Sequence, residues 1–278
     1  MSGLNLAGRT KIFEQEGYLS SRASQLKVCK KSEKRENLVV VRAGKHSKHR
    51  SWFSQAENRN WDLCIAAYEK ISDEDLQNAE IIIEGGLSKW TVLADHFYSN
   101  DVFNDYEYFF ILDDDITFNH ASNINTLFEL SKKLELSVSQ ASLSQNSFVS
   151  WRVTQNQPGS VMRYTNFVEC MAPIFSNLAI KKLQPYISKA VSGVGLDVIF
   201  WDALGRPANS MAVIDLIQMH HTMPIDKNGG AFYQHLEKNG INVEDELAYF
   251  MGLFDLTEFE IQTLGLVTRK EKISIPNL

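Results

Sequence analysis

The sequence predicts an α/β fold with a mostly parallel central sheet flanked by helices and followed by a helical C-terminal tail. Two observations carry this. Short β-branched or aromatic runs alternate with stretches of helical spacing, the pattern of a parallel sheet crossed by helices. One run, Tyr106–Leu112, passes straight into three carboxylates, Asp113-Asp114-Asp115. Such sheets bind ligands beyond the carboxyl ends of their strands, and the triplet occupies that kind of position. With 278 residues the chain can bury a full core. The expected organisation is a preamble over residues 1–36, the α/β domain over 37–225 and a helical segment over 226–278.

Taken in order, the preamble is polar and mixed. Its basic run from Lys27 to Arg35 is broken by Ser32 and Glu33, so it is expected to be a solvated face, with an anionic membrane contact as the alternative. Asn37-Leu-Val-Val-Val-Arg-Ala-Gly44 is the first strand, and its unbroken apolar run suits a strand covered on both faces. Trp61–Tyr68 and Ala79–Glu84 are the next two. Gly85-Gly86 ends the third, and Leu87–Tyr98 follows with an apolar helical face. After the strand Tyr106–Leu112, Ser122–Leu136 reads as a helix and the stretch to Gly159 as a polar connection. Glu169–Phe175 is expected to be a strand. Leu178–Ala190 is expected to be helical, with Pro185 starting or kinking a turn. The loop Gly193-Val-Gly-Leu-Asp197 opens a helix to about Leu204. Met211–Met219 is a late strand closing on His220-His221, and Ala231–Thr268 has helical periodicity.

The formal net charge of −6 argues against a nucleic-acid binder, because such domains carry basic surfaces. It leaves phosphate-bearing ligands open, since a bound divalent cation can supply positive charge locally. Cys29, Cys64 and Cys170 are odd in number and form no C-x-x-C pair, which disfavours a disulfide framework or a structural zinc site. There is no apolar signal region and no run near the roughly 18 apolar residues of a membrane span. A cytoplasmic setting is expected, with peripheral contact at the inner membrane as the alternative.

Adjacent carboxylates at a buried strand end repel one another and need compensation. A hard divalent cation, Mn²⁺ or Mg²⁺, is the simplest compensator, with Asp113 and Asp115 as ligands that leave positions for diphosphate oxygens. His220 or His221 can add an imidazole; a strand alternates its side chains, so one of the two faces the cleft, and His221 is preferred. Asp197 is a candidate general base for an acceptor hydroxyl, and Glu169 is the competing carboxylate. Lys89 is best placed among the cations to face a diphosphate, ahead of Arg152 and Arg163. Trp90 and Trp151 can stack on a base or a sugar, although the spacing of Trp90 suits the core.

The segments Asn37–Gly44, Leu87-Ser-Lys-Trp90 and Tyr-Phe-Phe-Ile-Leu-Asp-Asp-Asp115 follow the order seen in GT-A-type glycosyltransferases, which they resemble. Val168-Glu-Cys-Met-Ala-Pro-Ile-Phe-Ser176, Gly195-Leu-Asp197, Val213-Ile-Asp215 and His220-His-Thr-Met-Pro224 are similar to a plant and bacterial family classed as a domain of unknown function. The resemblance spans roughly residues 37–225. It implies a GT-A-like, Rossmann-like fold and a metal near Asp113 and Asp115. It implies a nucleotide-sugar donor, first of all a UDP-sugar, facing Lys89, Asp114, Arg42 and Gly44. A glycan or lipid-linked acceptor and bacterial surface polysaccharide synthesis follow from the same likeness. The triplet departs from the D-E-D form of the plant members at Asp114.

Two rivals stand beside this reading. Asp113-Asp-Asp-Ile-Thr117 also satisfies the D-x-D-x-T pattern of phosphoaspartate hydrolases, in which Asp113 would be the nucleophile. That motif belongs on the first strand of its fold, however, and three strands are expected before this one. The other rival is a non-catalytic nucleotide- or glycan-binding module.

Overall fold

The computed structural model describes residues 24–30, 32, 35–53, 58–224 and 230–268. Residues 1–23 of the expected preamble, Lys31, Glu33 and Lys34 of its basic run, the 225/226 boundary and residues 269–278 of the tail lie outside them.

The strands are β1 (Ser24–Cys29), β2 (Asn37–Ala43), β3 (Trp61–Ala67), β4 (Ile81–Gly85), β5 (Tyr108–Leu112), β6 (Ile116–Phe118), β7 (Val138–Leu143), β8 (Ser160–Thr165), β9 (Ile174–Ser176), β10 (Met211–His221) and β11 (Thr263–Thr268). They form one sheet in the order β1-β4-β3-β2-β5-β9-β7-β10-β8-β11, with β6 paired to the end of β10. The centre is mostly parallel: β4, β3, β2 and β5 run together, as do β7 and β10, and the short β9 lies antiparallel between the two groups.

Helices flank the sheet: α1 (Arg50–Phe53), α2 (Asp73–Asn78), α3 (Lys89–His96), α4 (Ser122–Lys133), α5 (Asn177–Lys182), α6 (Gln184–Ile187), α7 (Leu196–Ala203), α8 (Ala231–Lys238) and α9 (Val243–Leu253). Alternate residues of each central strand enter opposite core layers. Val39, Val41, Phe110 and Leu112 pack with Leu127 and Phe128 of α4. Val40, Phe109 and Ile111 pack with Trp90 and Leu93 of α3 and with Phe200 of α7. Both faces are covered, so these strands show no apolar–polar alternation. Pro185 lies in the first turn of α6, which separates it from α5 and divides the expected Leu178–Ala190 helix in two. None of the described helices is long and apolar enough to cross a membrane.

The structure corrects several expectations. Residues 24–29 of the preamble form the edge strand β1 on β4. The tail is helical through α8 and α9 and then ends in β11, which pairs with β8. The stretch read as a polar connection contains β7, whose Ser139, Gln140 and Ser142 are fully buried. Ser139 meets Ser131 at the end of the preceding helix, and the other two have distant partners: Gln140 accepts from the Glu169 amide, and Ser142 reaches the Ile217 carbonyl. Buried polar groups are tolerated when paired in this way, and no local pattern announces the pairing. Of the expected strand Glu169–Phe175, only Ile174 and Phe175 are strand, in β9. The residues before it run past the end of β5, where Met171 O accepts from Asp113 N at 3.0 Å and Pro173 O accepts from Ile111 N.

Candidate active site

The parallel strands β2, β3, β4 and β5 end on one edge of the sheet, and β10 delivers His220-His221 to the same region. Asp113-Asp114-Asp115 turns the chain from β5 into β6, which pairs antiparallel with the end of β10 and sets Ile116 opposite His221. Thr222 caps the turn, its amide and hydroxyl both donating to the Asp115 carbonyl.

Each carboxylate of the triplet faces a different partner. Lys89, at the start of α3, donates to Asp113 Oδ1 at 2.7 Å and to Met171 O at 2.9 Å. Helix α3 begins there because Ser88 and Thr91 form reciprocal capping bonds. The Asp113 side chain keeps 43 % of its surface open to solvent. Desolvation pushes its carboxyl upward, opposed by Lys89.

Asp114 turns the other way. Its Oδ2 accepts from the Tyr68 hydroxyl at 2.9 Å and, weakly, from the Gly44 amide at 3.4 Å. A Cβ on Gly44 would lie 2.4 Å from the Tyr68 ring, so glycine is what lets the phenol cross the strand end. Desolvation, with the charges of Asp113 and Asp115, raises Asp114 to about 6 against the pull of the Tyr68 bond.

Asp115 faces His221, with Oδ2 3.0 Å from Nε2. The other ring nitrogen, Nδ1, lies 2.9 Å from the Phe148 carbonyl. Burial alone would lower His221, but Asp115 and the Phe148 carbonyl raise it to about 9. Asp115 Oδ1 is buried without a hydrogen-bond partner. His220 points to the other face of the strand, where its Nδ1 lies 3.0 Å from Ser144 Oγ, so the two histidines do not converge. Among the described residues, no three His, Cys, Asp or Glu side chains are grouped so as to hold a metal ion unaided.

Glu169 and Asp197 lie behind the triplet. Glu169 is 7 % exposed, and its Oε2 has no hydrogen-bond partner. Desolvation first, then the neighbouring Asp197 charge, raise Glu169 to about 7; the Ser150 hydroxyl and His221 oppose, and Asp113 adds to the rise. Asp197 sits at the start of α7, its carboxylate accepting from the Val198 amide at 3.1 Å. Desolvation raises it to about 6.

Other expected residues are engaged elsewhere. Arg42 donates to the Gly85 and Gly86 carbonyls and lies over the Tyr68 ring at 5.3 Å, so it braces the β4 turn and flanks the site through Tyr68. Arg163 is locked in a buried two-point pair with Asp215, and Arg152 is exposed. Trp90 is core at 1 % exposure, whereas Trp151 keeps 39 %.

Several residues of the site escaped the sequence reading. Tyr68 follows β3 with no flanking motif. Gln140 lies in the unrecognised β7. Tyr233 of α8 has its phenol pushed up by burial and by the charges of Asp113, Glu169 and Asp197. Glu246 of α9 is fully buried and accepts from the amides of Val191, Ser192 and Gly193 and from the Ser192 hydroxyl, at 2.8–2.9 Å. It thereby holds the loop that leads into Asp197. The acidic bias of the tail was its only signal.

Residues 10–166 match the family described as Protein of unknown function (DUF707). The match spans more than half of the chain. The chain belongs to that family. The segments around Glu169 and His220-His221 that carried the resemblance lie beyond the matched residues. No curated protein matches the chain in sequence.

Among solved structures, glucosyl-3-phosphoglycerate synthase from Mycobacterium tuberculosis, in complex with Mn²⁺, uridine diphosphate and glucosyl-3-phosphoglycerate, is similar at 12% identity and a TM-score of 0.46. That alignment covers 97% of this chain and 94% of the other. S. aureus TarS 1–349 aligns at 10% identity and a TM-score of 0.44, covering 78% and 70%. A 4-diphosphocytidyl-2C-methyl-D-erythritol synthase from Anaerococcus prevotii aligns at 8% identity and a TM-score of 0.43, covering 81% and 98%.

Proposed function

We propose that the chain is a metal-dependent glycosyltransferase with a GT-A-like fold, moving a sugar from a nucleotide-sugar donor, first of all a UDP-sugar, to an acceptor hydroxyl. The reading is carried by two buried carboxylate oxygens without hydrogen-bond partners, Asp115 Oδ1 and Glu169 Oε2. A buried acceptor left unpaired is costly, so each calls for a ligand. The first suits a cation and the second a hydroxyl proton.

The charges agree with this assignment. Asp113, Asp114, Asp115, Glu169 and Asp197 outnumber Lys89, His221 and Arg42, an acidic excess that a divalent ion would offset. Without an ion, that excess can be met only by protons, in keeping with the upward shifts of Asp114, Glu169 and Asp197. Asp115 and His221 would hold Mn²⁺ or Mg²⁺. The Phe148 carbonyl fixes a proton on Nδ1 and so leaves Nε2 its lone pair once the proton shared with Asp115 departs. Asp113, held by Lys89 in the absence of an ion, would be the further carboxylate available to it. When bound, the ion supplies Lewis-acid stabilisation of the departing diphosphate.

The chain's own groups do the rest. Lys89 places positive charge at the cleft floor for the phosphates. Tyr68, half exposed beside Asp114, offers an aromatic surface to the donor base. Glu169, near 7, takes the acceptor proton as the acceptor oxygen bonds to the anomeric carbon. The bond from that carbon to the diphosphate breaks, and its electron pair leaves with the nucleoside diphosphate. Asp197 keeps the Glu169 pKa high enough for it to serve as a base. Surface polysaccharide assembly, at the cytoplasmic side of a bacterial inner membrane, is the setting we assign to the reaction.

A thermal-shift panel of UDP-, GDP-, CMP- and ADP-sugars with and without Mn²⁺ tests the reading. A ligand that binds only the folded chain raises its melting temperature by mass action. A Mn²⁺-dependent shift with a UDP-sugar is expected; no shift with any donor under any metal condition would refute it.

A further inference from the structure

We infer that the acceptor is a carbohydrate, and that it binds with a sugar ring on the indole of Trp151 and a hydroxyl at Glu169. This rests on the glycosyltransferase reading for the role of Glu169, but the binding surface itself stands on separate observations.

The turn Phe148–Trp151 links the two halves of the cleft. At one end, the Phe148 amide donates to the His221 carbonyl and the Phe148 carbonyl lies 2.9 Å from His221 Nδ1. At the other, the Ser150 hydroxyl sits beside the Glu169 carboxyl. Trp151 follows directly, and its ring packs on Phe167 at 5.3 Å, two residues before Glu169. The indole is thus backed by Phe167 and adjoins in sequence the Ser150 that neighbours Glu169.

Trp151 and Phe148 nevertheless keep 39% and 45% of their surface. Large aromatic side chains fixed from behind and open in front are binding surfaces more than packing elements. A pyranose presents a face of C–H bonds to such a ring and a rim of hydroxyls around it. The surrounding chain has the matching chemistry: residues 144–157 carry hydroxyls and amides and a single charge, Arg152. A phosphorylated acceptor would call for more cations here, and an acyl chain for fewer amides. The buried Glu169 oxygen, 7% exposed as a residue, supplies an acceptor for one sugar hydroxyl.

The test is an array of defined oligosaccharides, probed with the full chain in the presence of UDP and Mn²⁺, and repeated with Trp151→Ala and Trp151→Phe. Retention of one or more oligosaccharides is expected, weakened at least about tenfold in Trp151→Ala and kept within about threefold in Trp151→Phe, which preserves a stacking ring. Melting curves of both variants, and their UDP shift, establish that fold and donor site are intact. Undiminished retention by a folded Trp151→Ala overturns the proposal. So does an array without retention from a chain that still shifts with UDP, which leaves the donor reading standing. A chain that retains glycans but never responds to nucleotide keeps the sugar surface and loses the transferase reading.

Discussion

His221 Nε2 lies 3.0 Å from Asp115 Oδ2, while Nδ1 of the same ring lies 2.9 Å from the Phe148 carbonyl oxygen. The second contact determines what the first can become. A proton held on Nδ1 by a backbone carbonyl leaves Nε2 either as the second N–H of an imidazolium paired with Asp115 or as a lone pair for a metal. On the function proposed above, the ring would give up the Nε2 proton to receive a cation.

It follows that His221→Gln weakens Mn²⁺ binding by at least about tenfold, measured by calorimetry, and removes the Mn²⁺ dependence of any UDP-sugar shift. His220→Gln, whose ring faces Ser144 on the other side of β10, leaves both unchanged.

Glu169 and Asp197 make stability depend on pH. Glu169 rises from 4.5 to about 7 and Asp197 from 3.8 to about 6, so the folded chain binds more protons than the unfolded chain between those values. A raised carboxyl contributes stability that is complete below its unfolded pKa and is lost as pH climbs through its folded pKa. The urea midpoint of the metal-free chain should therefore fall between about pH 4 and pH 7 through these groups. Glu169→Gln, neutral at every pH, should flatten that fall, be more stable than the parent at pH 8 and abolish sugar transfer.

Gly193 and Gly44 separate a structural glycine from one that shapes the site. A Cβ on Gly193, whose φ is +84°, would lie 1.9 Å from the buried Trp90 Nε1. Gly193→Ala should cost about 2–4 kcal/mol in chemical denaturation. A Cβ on Gly44 meets the half-exposed Tyr68 ring instead. Gly44→Ala should cost less than about 1 kcal/mol while displacing Tyr68 from Asp114 and reducing the nucleotide-induced shift.

Glu246→Ala leaves three buried backbone amides and one hydroxyl without their acceptor. Each unsatisfied donor costs about 1–3 kcal/mol unless water reaches it. A loss of at least about 3 kcal/mol is expected by urea denaturation. Hydrogen exchange at Val191, Ser192 and Gly193 should quicken more than in β2, because the loop that carries Asp197 loses its clasp.

The sequence by itself determined the central parallel strands β2 to β5, the helix that follows Gly85-Gly86 and the place of the acidic triplet at a strand end. These are local facts: apolar runs, a Gly-Gly stop and helical spacing each act within a few residues. It also limited the histidines to one in the cleft, because a strand alternates its side chains. Only the tertiary structure decided that this one is His221, since the choice depends on pairing β10 with β6. Only the fold sent Arg163 to Asp215 and Lys89 to Asp113, and only the fold buried Ser139, Gln140 and Ser142 in β7 as an interior strand. Edge strands β1 and β11 were invisible for the same reason. Their formation depends on a partner strand far away in the chain, and polar side chains are admitted to a core only by partners that chain-local patterns do not contain.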